Sequence, residues 1–269
     1  MEIRIATRKS ELALWQAKHV ARKLEALPAV TAVSLVPMST RGDEILDKSL
    51  QKIGGKGLFI KELEVAMLAG DADIAVHSMK DVPAEMPAGF CIAALLERAN
   101  PTDAFVSGSD KRFVELPAGA KIGSSSLRRQ AQLRAMRPDI EVIPLRGNVN
   151  TRLRKLADGE YDAIILASAG LERLGLADHI TEAFSVTQML PAAAQGVVGV
   201  ECLSNRQDLR DVLAGIGDER AMLTTAAERA VAATLEANCQ SPVASYAELE
   251  NGQLDIQALV ASEDGTTVL

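Results

Sequence analysis

The sequence has few cysteines, few aromatic residues and no long apolar run. Its three cysteines, Cys91, Cys202 and Cys239, are odd in number and far apart, which argues against a disulfide framework or C-x-x-C zinc chemistry. Aromatic residues make up only 3% of the chain, so base-stacking surfaces for nucleic acid are poorly supplied. No apolar run approaches the roughly 20 residues that span a bilayer, and the three histidines are scattered. We therefore expect a cytoplasmic protein that binds no nucleic acid, no membrane and no metal.

What is present is an ordinary globular composition with an uneven distribution of charge. The 269 residues are 48% hydrophobic and 24% charged, and a chain of this length has room for two or three domains. The net charge is −7, yet residues 121–155 carry a charge of +7, which leaves −14 on the remainder. A basic segment in an acidic chain favours a small anionic ligand over a long polyanion. Its basic residues are Lys121, Arg128, Arg129, Arg134, Arg137, Arg146, Arg152, Arg154 and Lys155.

Short apolar runs alternate with helical patterns over most of the chain, which predicts α/β units around a mostly parallel or mixed sheet. The first helix is expected to begin after Ser10 as its cap, and Asn251-Gly252 predicts a hairpin. Strands are predicted at 3–6, 32–37, 73–77, 91–96, 103–106, 120–122, 140–144, 161–167 and 197–203, and helices at 11–27, 61–68, 127–136, 149–156 and 218–236.

These patterns predict two α/β domains and a smaller α+β domain at the C-terminus. Domain 1 is expected to comprise 1–98 and 197–215, domain 2 to comprise 101–192, and domain 3 to comprise 218–269. The glycine-rich segment 43–59 is predicted to be a mobile surface loop. It is not a phosphate-binding P-loop, because Leu50 and Gly57 stand where that motif needs glycine and Ser or Thr.

The segment Gly123-Ser-Ser-Ser-Leu-Arg-Arg129 lies at a predicted strand-to-helix junction. The N-terminus of a helix offers unpaired N–H groups and the positive end of the dipole, which suit a carboxylate or phosphate. Two arginines in the first turn oppose that dipole, so a bound anion would explain them. The alternative is ordinary capping by Ser124 or Ser125 with solvated arginines. A similar pattern, Arg146-Gly-Asn148 followed by Arg152, marks the next junction.

Two further residues are candidates for chemistry. Asp81 follows a short apolar strand, so we expect it at the carboxyl edge of the sheet, where open α/β sheets bind ligands; the alternative is a turn-forming aspartate before Val82-Pro83. Cys239 stands among polar neighbours between a helix and a strand. An accessible thiol there could be a nucleophile or an attachment point, although no histidine is near it in the sequence.

The order of these motifs resembles that of the porphobilinogen deaminase (hydroxymethylbilane synthase) family. His77-Ser-Met-Lys-Asp-Val-Pro83 is the most specific of the matching stretches, which together run from near residue 3 to near residue 247. The matching stretches are Arg4-Ile-Ala-Thr-Arg8-Lys-Ser10, Thr40-Arg-Gly-Asp43, Gly54-Gly-Lys-Gly57, Ala75–Pro83, Ser124-Ser-Ser-Leu-Arg-Arg129, Leu145-Arg-Gly-Asn148 and Glu236–Pro242.

The resemblance implies a cytoplasmic, monomeric transferase of tetrapyrrole (haem and chlorophyll) biosynthesis. It would condense four porphobilinogens head to tail, with loss of ammonia, to hydroxymethylbilane through linear oligopyrrole intermediates. The product would grow on a covalent dipyrromethane cofactor, held by a thioether to Cys239, in two domains of the periplasmic-binding-protein type. Asp81 would be the catalytic carboxylate, stabilising the cationic methylene-pyrrole first and moving protons second.

The resemblance also assigns residues to the ligands. Residues implied in cofactor binding are Ser10, Lys80, Asp81, Ser126, Arg128, Arg129, Arg146, Gly147 and Cys239. Those implied in substrate binding are Arg8, Arg146, Arg152, Arg173 and Gln195, and those of the mobile loop are Lys52 and Lys56.

The sequence departs from the family's pattern in three places. Asn238 and Ala194 stand where the family usually has glycine, and family members usually continue beyond Leu269, so domain 3 is expected to be truncated. Two other readings remain open. A two-lobed module that binds small anions without catalysis would explain the junctions but not Cys239 or the third domain. A thiol-dependent hydrolase would need a base that the sequence does not show.

Overall fold

The computed structural model describes residues 1–40, 60–238 and 241–269. The chain forms two compact units, one of Met1–Arg98 with Val197–Ala226 and one of Ala99–Gly196 with Ala227–Leu269. The predicted loop 43–59 lies outside the described residues, and so does Cys239. The separation of a third domain at residue 218 stays a prediction.

The described residues form strands and helices in the alternating order that the sequence predicts. The strands are β1 (Glu2–Arg8), β2 (Ala32–Met38), β3 (Ile74–Ser78), β4 (Phe90–Leu95), β5 (Asp103–Ser107), β6 (Lys121–Gly123), β7 (Glu141–Ile143), β8 (Ala163–Ala167), β9 (Glu182–Phe184), β10 (Val198–Leu203), β11 (Val243–Glu250) and β12 (Gln253–Val260). The helices are α1 (Glu11–Glu25), α2 (Lys61–Ala69), α3 (Leu127–Met136), α4 (Val149–Ala157), α5 (Ser168–Arg173), α6 (Gln207–Ala214) and α7 (Glu219–Thr234).

The sheet of the first unit has the strand order β2-β1-β3-β10-β4. Strand β1 pairs in parallel with both β2 and β3, whereas β10 runs antiparallel to β3 and β4. Helix α1 begins where predicted, because the Ser10 side chain accepts a hydrogen bond from the Ala13 amide at 3.4 Å. Apolar side chains of β1 and α1, among them Ile5, Val20 and Leu24, lie fully buried in the core between sheet and helix.

The sheet of the second unit repeats this plan with the order β7-β6-β8-β5-β9. Strand β6 is parallel to β7 and β8, and β5 is antiparallel to β8 and β9. Its core contains three aromatic rings in edge-to-face contact, Phe105, Phe113 and Phe184, with centroids 5.3–6.1 Å apart. In both units, therefore, the carboxyl ends of neighbouring parallel strands meet at one sheet edge.

Strands β11 and β12 form the predicted hairpin. Asn251 and Gly252 connect them with φ of 50° and 78°, the positive values that a two-residue type I′ turn requires at both positions. The long helix α7 precedes the hairpin in the chain. The predicted class, two α/β parts and a smaller C-terminal part with a strand pair, is confirmed.

Three short elements were not predicted from the sequence: α5, α6 and β9. They are six, eight and three residues long, and no element was assigned to their segments from the sequence. Among the residues that the structure describes, none of the helices combines the length and apolar character needed to cross a membrane.

Candidate functional site

Four predicted site residues lie at the carboxyl edge of the first sheet. Arg8 ends β1, and Ser10 caps α1 two residues later. Lys80 and Asp81 lie in a single 3₁₀ turn, Met79–Asp81, directly after β3. Because β1 and β3 are adjacent and parallel, these side chains share one edge of the sheet. Asp81 thus lies where its position after a strand predicted, and its side chain is exposed.

Backbone and side-chain hydrogen bonds fix the turn that carries Asp81. The Met79 amide donates to the Val197 carbonyl at 3.0 Å, and the Val82 amide donates back to the Met79 carbonyl at 3.1 Å. Ser78, the last residue of β3, contacts the side-chain amide of Gln16 on α1. Gln16 Nε2 donates to Ser78 Oγ at 2.8 Å, and Ser78 Oγ donates to Gln16 Oε1 at 3.2 Å. The carboxylate therefore projects from a turn that is tied to both neighbouring elements.

A buried polar pair lies one strand position further back. His77 Nε2 and Glu201 Oε2 are 2.7 Å apart, with both side chains at least nine-tenths buried, on the adjacent strands β3 and β10. The charge of Glu201 also acts on a third residue, Glu64 of α2. Burial is the main cause of the raised pKa of Glu64, and the charge of Glu201 is the second. Sequence reasoning missed this pair, since a histidine and a glutamate 124 residues apart carry no local signal.

In the second unit, the junction between β6 and α3 is capped by Ser126. Its side chain accepts from the Arg129 amide at 3.4 Å, while the Ser124 amide donates to the Ile143 carbonyl at 2.9 Å. Arg128 and Arg129 are 4% and 6% exposed. The alternative interpretation, capping by Ser124 or Ser125 with solvated arginines, is therefore wrong in both parts.

Both arginines contact one buried carboxylate, that of Asp103 at the start of β5. Arg129 donates to Asp103 Oδ1 from Nε at 3.0 Å and Nη2 at 2.6 Å, and Arg128 Nη2 lies 2.7 Å from Oδ2. The aspartate supplies a partner for arginines that oppose the helix dipole, and it was not predicted. An acidic residue at the head of an otherwise apolar strand, Asp103-Ala-Phe-Val, was its signal in the sequence.

The junction between β7 and α4 carries Arg146, Gly147 and Arg152. Asn148 caps α4, accepting from the Thr151 amide at 2.9 Å, and Arg152 Nε donates to the Gly147 carbonyl at 2.8 Å. Gly147 has φ of 113°, and a Cβ there would lie 2.6 Å from Thr151 Cγ2. The position therefore requires glycine, which brings the backbone close to the helix terminus.

Arg173 and Gln195 lie in the same unit. Arg173 Nη2 donates to the Gly196 carbonyl at 2.7 Å, and burial lowers the pKa of its guanidinium. Gln195 Nε2 donates to the Pro101 carbonyl at 2.7 Å and to Asp103 Oδ1 at 3.0 Å. Gln195 thus joins the two arginines at the same carboxylate.

Ala194, which departs from the family's usual glycine, has φ of 60° in the left-handed region. Its amide donates to Glu228 Oε2 at 2.6 Å, and the Ala247 amide donates to Oε1 of the same carboxylate at 2.7 Å. The buried Glu228 thereby holds Ala194 in a conformation that a glycine would adopt without strain. Ala194 was singled out from the sequence, but Glu228 and Ala247 were not.

The predicted site residues Cys239, Lys52 and Lys56 lie outside the described residues. The others form two groups, one in each unit. Arg8, Ser10, Lys80 and Asp81 belong to the first unit, and Ser126, Arg128, Arg129, Arg146, Gly147, Arg152, Arg173 and Gln195 to the second.

Family models match almost the whole chain. The model of the porphobilinogen deaminase dipyrromethane cofactor-binding domain matches residues 3–211, and that of the porphobilinogen deaminase C-terminal domain matches residues 222–269.

The chain belongs to the porphobilinogen deaminase family.

Curated porphobilinogen deaminases are similar over nearly the full length of this chain. The protein from Chromobacterium violaceum is 53% identical over 268 residues, which are 100% of this chain and 87% of that protein. The protein from Xanthomonas campestris is 55% identical over 99% of this chain and 88% of its own length. The porphobilinogen deaminase family comprises transferases of tetrapyrrole synthesis, and its first domain binds dipyrromethane.

Solved structures with a similar fold are more distant. A TRAP periplasmic solute-binding protein from Desulfovibrio salexigens matches with a TM-score of 0.49 and 14% identity, over 88% of this chain and 78% of that one. The BvgS VFT2 domain from Bordetella pertussis matches with a TM-score of 0.47 and 13% identity, over 87% and 92% of the two chains.

The donor set of the second unit fits the family's dipyrromethane cofactor, whose pyrrole rings carry acetate and propionate groups. Arginine and hydroxyl donors cluster at two helix N-termini, which suits carboxylates. Arg128 Nε is buried and has no hydrogen-bond partner among the described residues. A buried donor of this kind calls for an acceptor, and a carboxylate of the cofactor would supply one.

Proposed function

We propose that this chain condenses four porphobilinogen molecules head to tail, releasing one ammonia per unit, to give hydroxymethylbilane. The product would grow on a dipyrromethane cofactor attached to Cys239 through a thioether. When bound, the cofactor supplies the pyrrole carbon to which the first substrate unit is joined. Membership of the porphobilinogen deaminase family supports the reaction. The positions of the residues at two strand-to-helix edges support the roles assigned to them below.

The observation that carries the proposal is the pair of linked junctions in the second unit. Ser125 Oγ donates to the Leu145 carbonyl at 2.8 Å and accepts from the Leu145 amide at 3.0 Å. This ties the N-terminus of α3 to the loop that carries Arg146 and leads into α4. A polyanionic chain of pyrrole carboxylates would meet two positive helix ends and several guanidiniums within one rigid edge.

We assign the cofactor to Ser10, Lys80, Asp81, Ser126, Arg128, Arg129, Arg146 and Gly147, with Cys239 as the attachment point. Incoming substrate carboxylates are assigned to Arg8, Arg146, Arg152, Arg173 and Gln195, and Lys52 and Lys56 are assigned to a loop over the site.

Asp81 is assigned the stabilisation of positive charge. The aminomethyl group of porphobilinogen is an ammonium at neutral pH, so breaking its C–N bond releases neutral ammonia and leaves a cationic methylene-pyrrole. An ionised carboxylate facing that cation lowers the barrier electrostatically, and it can accept hydrogen bonds from pyrrole N–H groups. After the C–C bond forms, the same carboxylate can assist removal of the proton from the new pyrrole carbon. The exposed side chain of Asp81, on a turn fixed at both ends, supports this role.

We also propose that the protein acts as a cytoplasmic monomer. The odd number and wide spacing of Cys91, Cys202 and Cys239 in the sequence support a reducing compartment. Light scattering of the purified chain would test the monomeric state.

The decisive experiment is the intact mass of the purified protein under denaturing conditions, combined with ammonia release from porphobilinogen. We expect a mass excess of two linked pyrrole units in the unaltered chain and in Cys91→Ser, and its loss in Cys239→Ser. A bare-chain mass that does not change on incubation with porphobilinogen, together with no ammonia release, would refute the proposal.

A further inference from the structure

Asp103 is a buried carboxylate of the second unit that three side chains contact. Its side chain has no exposed surface and lies against three side chains, those of Arg128, Arg129 and Gln195. Two of the three are guanidiniums, so the cluster carries one net positive charge inside the protein. A buried charge of this kind is tolerated only where partners compensate it.

The guanidiniums of Arg128 and Arg129 differ in their hydrogen bonds to Asp103 and to the backbone. Arg129 donates from Nε and Nη2 to Asp103 Oδ1, and from Nη1 to the Ile165 carbonyl at 3.0 Å. Each of its three guanidinium nitrogens thus has a protein acceptor. Arg128 places Nη1 on the Leu190 carbonyl at 2.6 Å and Nη2 against Asp103, while its Nε has no partner among the described residues.

The electrostatics of Arg128 depend on the aspartate. Burial lowers the pKa of the Arg128 guanidinium, the charge of Asp103 opposes this, and the charge of Arg129 adds to the lowering. Without the carboxylate, two buried guanidiniums from consecutive residues would face each other uncompensated. They would then move apart or turn towards solvent, since a buried like-charged pair is unfavourable.

We infer that Asp103 is a positioning residue, which holds Arg128 so that its unpartnered Nε–H meets a ligand carboxylate, while Arg129 is anchored to the protein through three N–H groups and keeps two Nη N–H groups for the ligand. This inference rests on the proposed function, because it concerns one of the arginines assigned to the anionic ligand and names the group that orients it. Gln195 assists by donating to the same Oδ1 atom.

The test compares Asp103→Asn and Asp103→Glu with the matched control Asp162→Asn. Asp162 is another aspartate of this unit that accepts a hydrogen bond, in its case from the Lys121 backbone amide. Unlike Asp103, it is exposed and lies at the opposite, amino end of β6 and β8. We expect Asp103→Asn to lower the fraction of cofactor-loaded chain, measured by intact mass, by about tenfold or more. Asp103→Glu should restore part of the loss, because the charge is kept, and Asp162→Asn should match the unaltered chain.

A second readout does not depend on turnover. In a Cys239→Ser background, where no covalent cofactor is attached, phenylglyoxal labelling followed by peptide mapping reports the accessibility of each arginine. Arg128 should label slowly, and about tenfold faster when Asp103→Asn is added. Should Asp103→Asn fail to fold, Gln195→Leu removes one hydrogen bond to Oδ1 without changing the charge and should accelerate Arg128 labelling in the same direction.

The outcomes separate the two claims. A folded Asp103→Asn chain with unchanged cofactor loading and unchanged Arg128 labelling would overturn the positioning role. If the unaltered chain carries no pyrrole adduct and releases no ammonia, the proposed function fails, while the labelling rates still decide whether Asp103 positions Arg128.

Discussion

Ser125 is bonded to the backbone of Leu145 twice, once as donor and once as acceptor, at 2.8 and 3.0 Å. The two residues belong to consecutive strand-to-helix junctions of the second unit. A single hydroxyl group therefore sets the spacing between the N-terminus of α3 and the Arg146 loop. Since recognition of several carboxylates at once depends on that spacing, the contact links local structure to binding.

We expect Ser125→Ala to release this link. Loss of the two hydrogen bonds, each worth about 0.5–1.5 kcal/mol, should lower the free energy of unfolding by about 1–3 kcal/mol and reduce retention of the cofactor. Denaturant unfolding and intact mass measure the two effects. Ser109→Ala is a suitable control, because within the described part of the chain Ser109 Oγ forms its hydrogen bond with the nearby Ser107 hydroxyl, at 3.3 Å in an exposed segment. Equal retention in both variants would show that the link does not matter for binding.

Arg146 should affect ligand binding without affecting the fold. It is half-buried at the junction, whereas Arg128 is buried against Asp103. We therefore expect Arg146→Gln to keep the free energy of unfolding within about 0.5 kcal/mol while chain growth from porphobilinogen is impaired. The mass distribution of enzyme-bound intermediates measures chain growth, and the exposed Arg112→Gln serves as control. Normal growth in Arg146→Gln would place this arginine among the solvated surface residues.

Asp81 should be sensitive to removal of its carboxylate and less so to its extension. Asp81→Ala should lower the rate of ammonia release by about 100-fold or more, the scale of losing one electrostatic group at a developing charge. Asp81→Glu keeps the charge on a side chain that is longer by one methylene, so part of the activity should remain. Asp71→Ala, an exposed aspartate at the amino end of β3, is the control. Equal loss in Asp81→Ala and Asp81→Glu would argue against a simple electrostatic role.

The helix cap, the hairpin turn and the positions of several site residues could be predicted from the sequence, because each depends on a local pattern. Ser10 caps α1, and Asn251-Gly252 forms the turn, because caps and tight turns are set by residues within three or four positions. Asp81 and the two basic junctions follow apolar strands, so the strand pattern alone located them at sheet edges.

The partners of those residues could not be predicted in the same way. Asp103 meets Arg129 from 26 residues away, and it does so because β5 is inserted antiparallel beside β8. Glu228 reaches Ala194 across 34 residues, and His77 reaches Glu201 across 124. Buried polar contacts of this range depend on the order of strands in the sheet, which the hydrophobic period does not determine.

The last prediction concerns acid stability and the ion pair between Arg4 and Asp73. Arg4 donates to Asp73 from its amide at 2.8 Å, from Nε at 3.0 Å and from Nη2 at 3.0 Å. Partial burial raises the pKa of the Asp73 carboxyl, but the hydrogen bonds and charge of Arg4 outweigh it, so the net direction is downwards. A group whose pKa is lower in the folded chain stabilises the fold above its unfolded pKa of about 3.9, and this stability is lost as pH falls through the folded value.

Asp73→Asn should therefore destabilise the fold at pH 7 and lose that effect in acid. The difference in free energy of unfolding between Asp73→Asn and the unaltered chain should shrink as pH falls below about 4, because the unaltered carboxyl is then protonated too. Urea unfolding at a series of pH values measures it, with Asp71→Asn as the control. A difference that stays constant down to the acid limit would show that the Asp73 side chain acts through packing or neutral hydrogen bonds rather than through its charge.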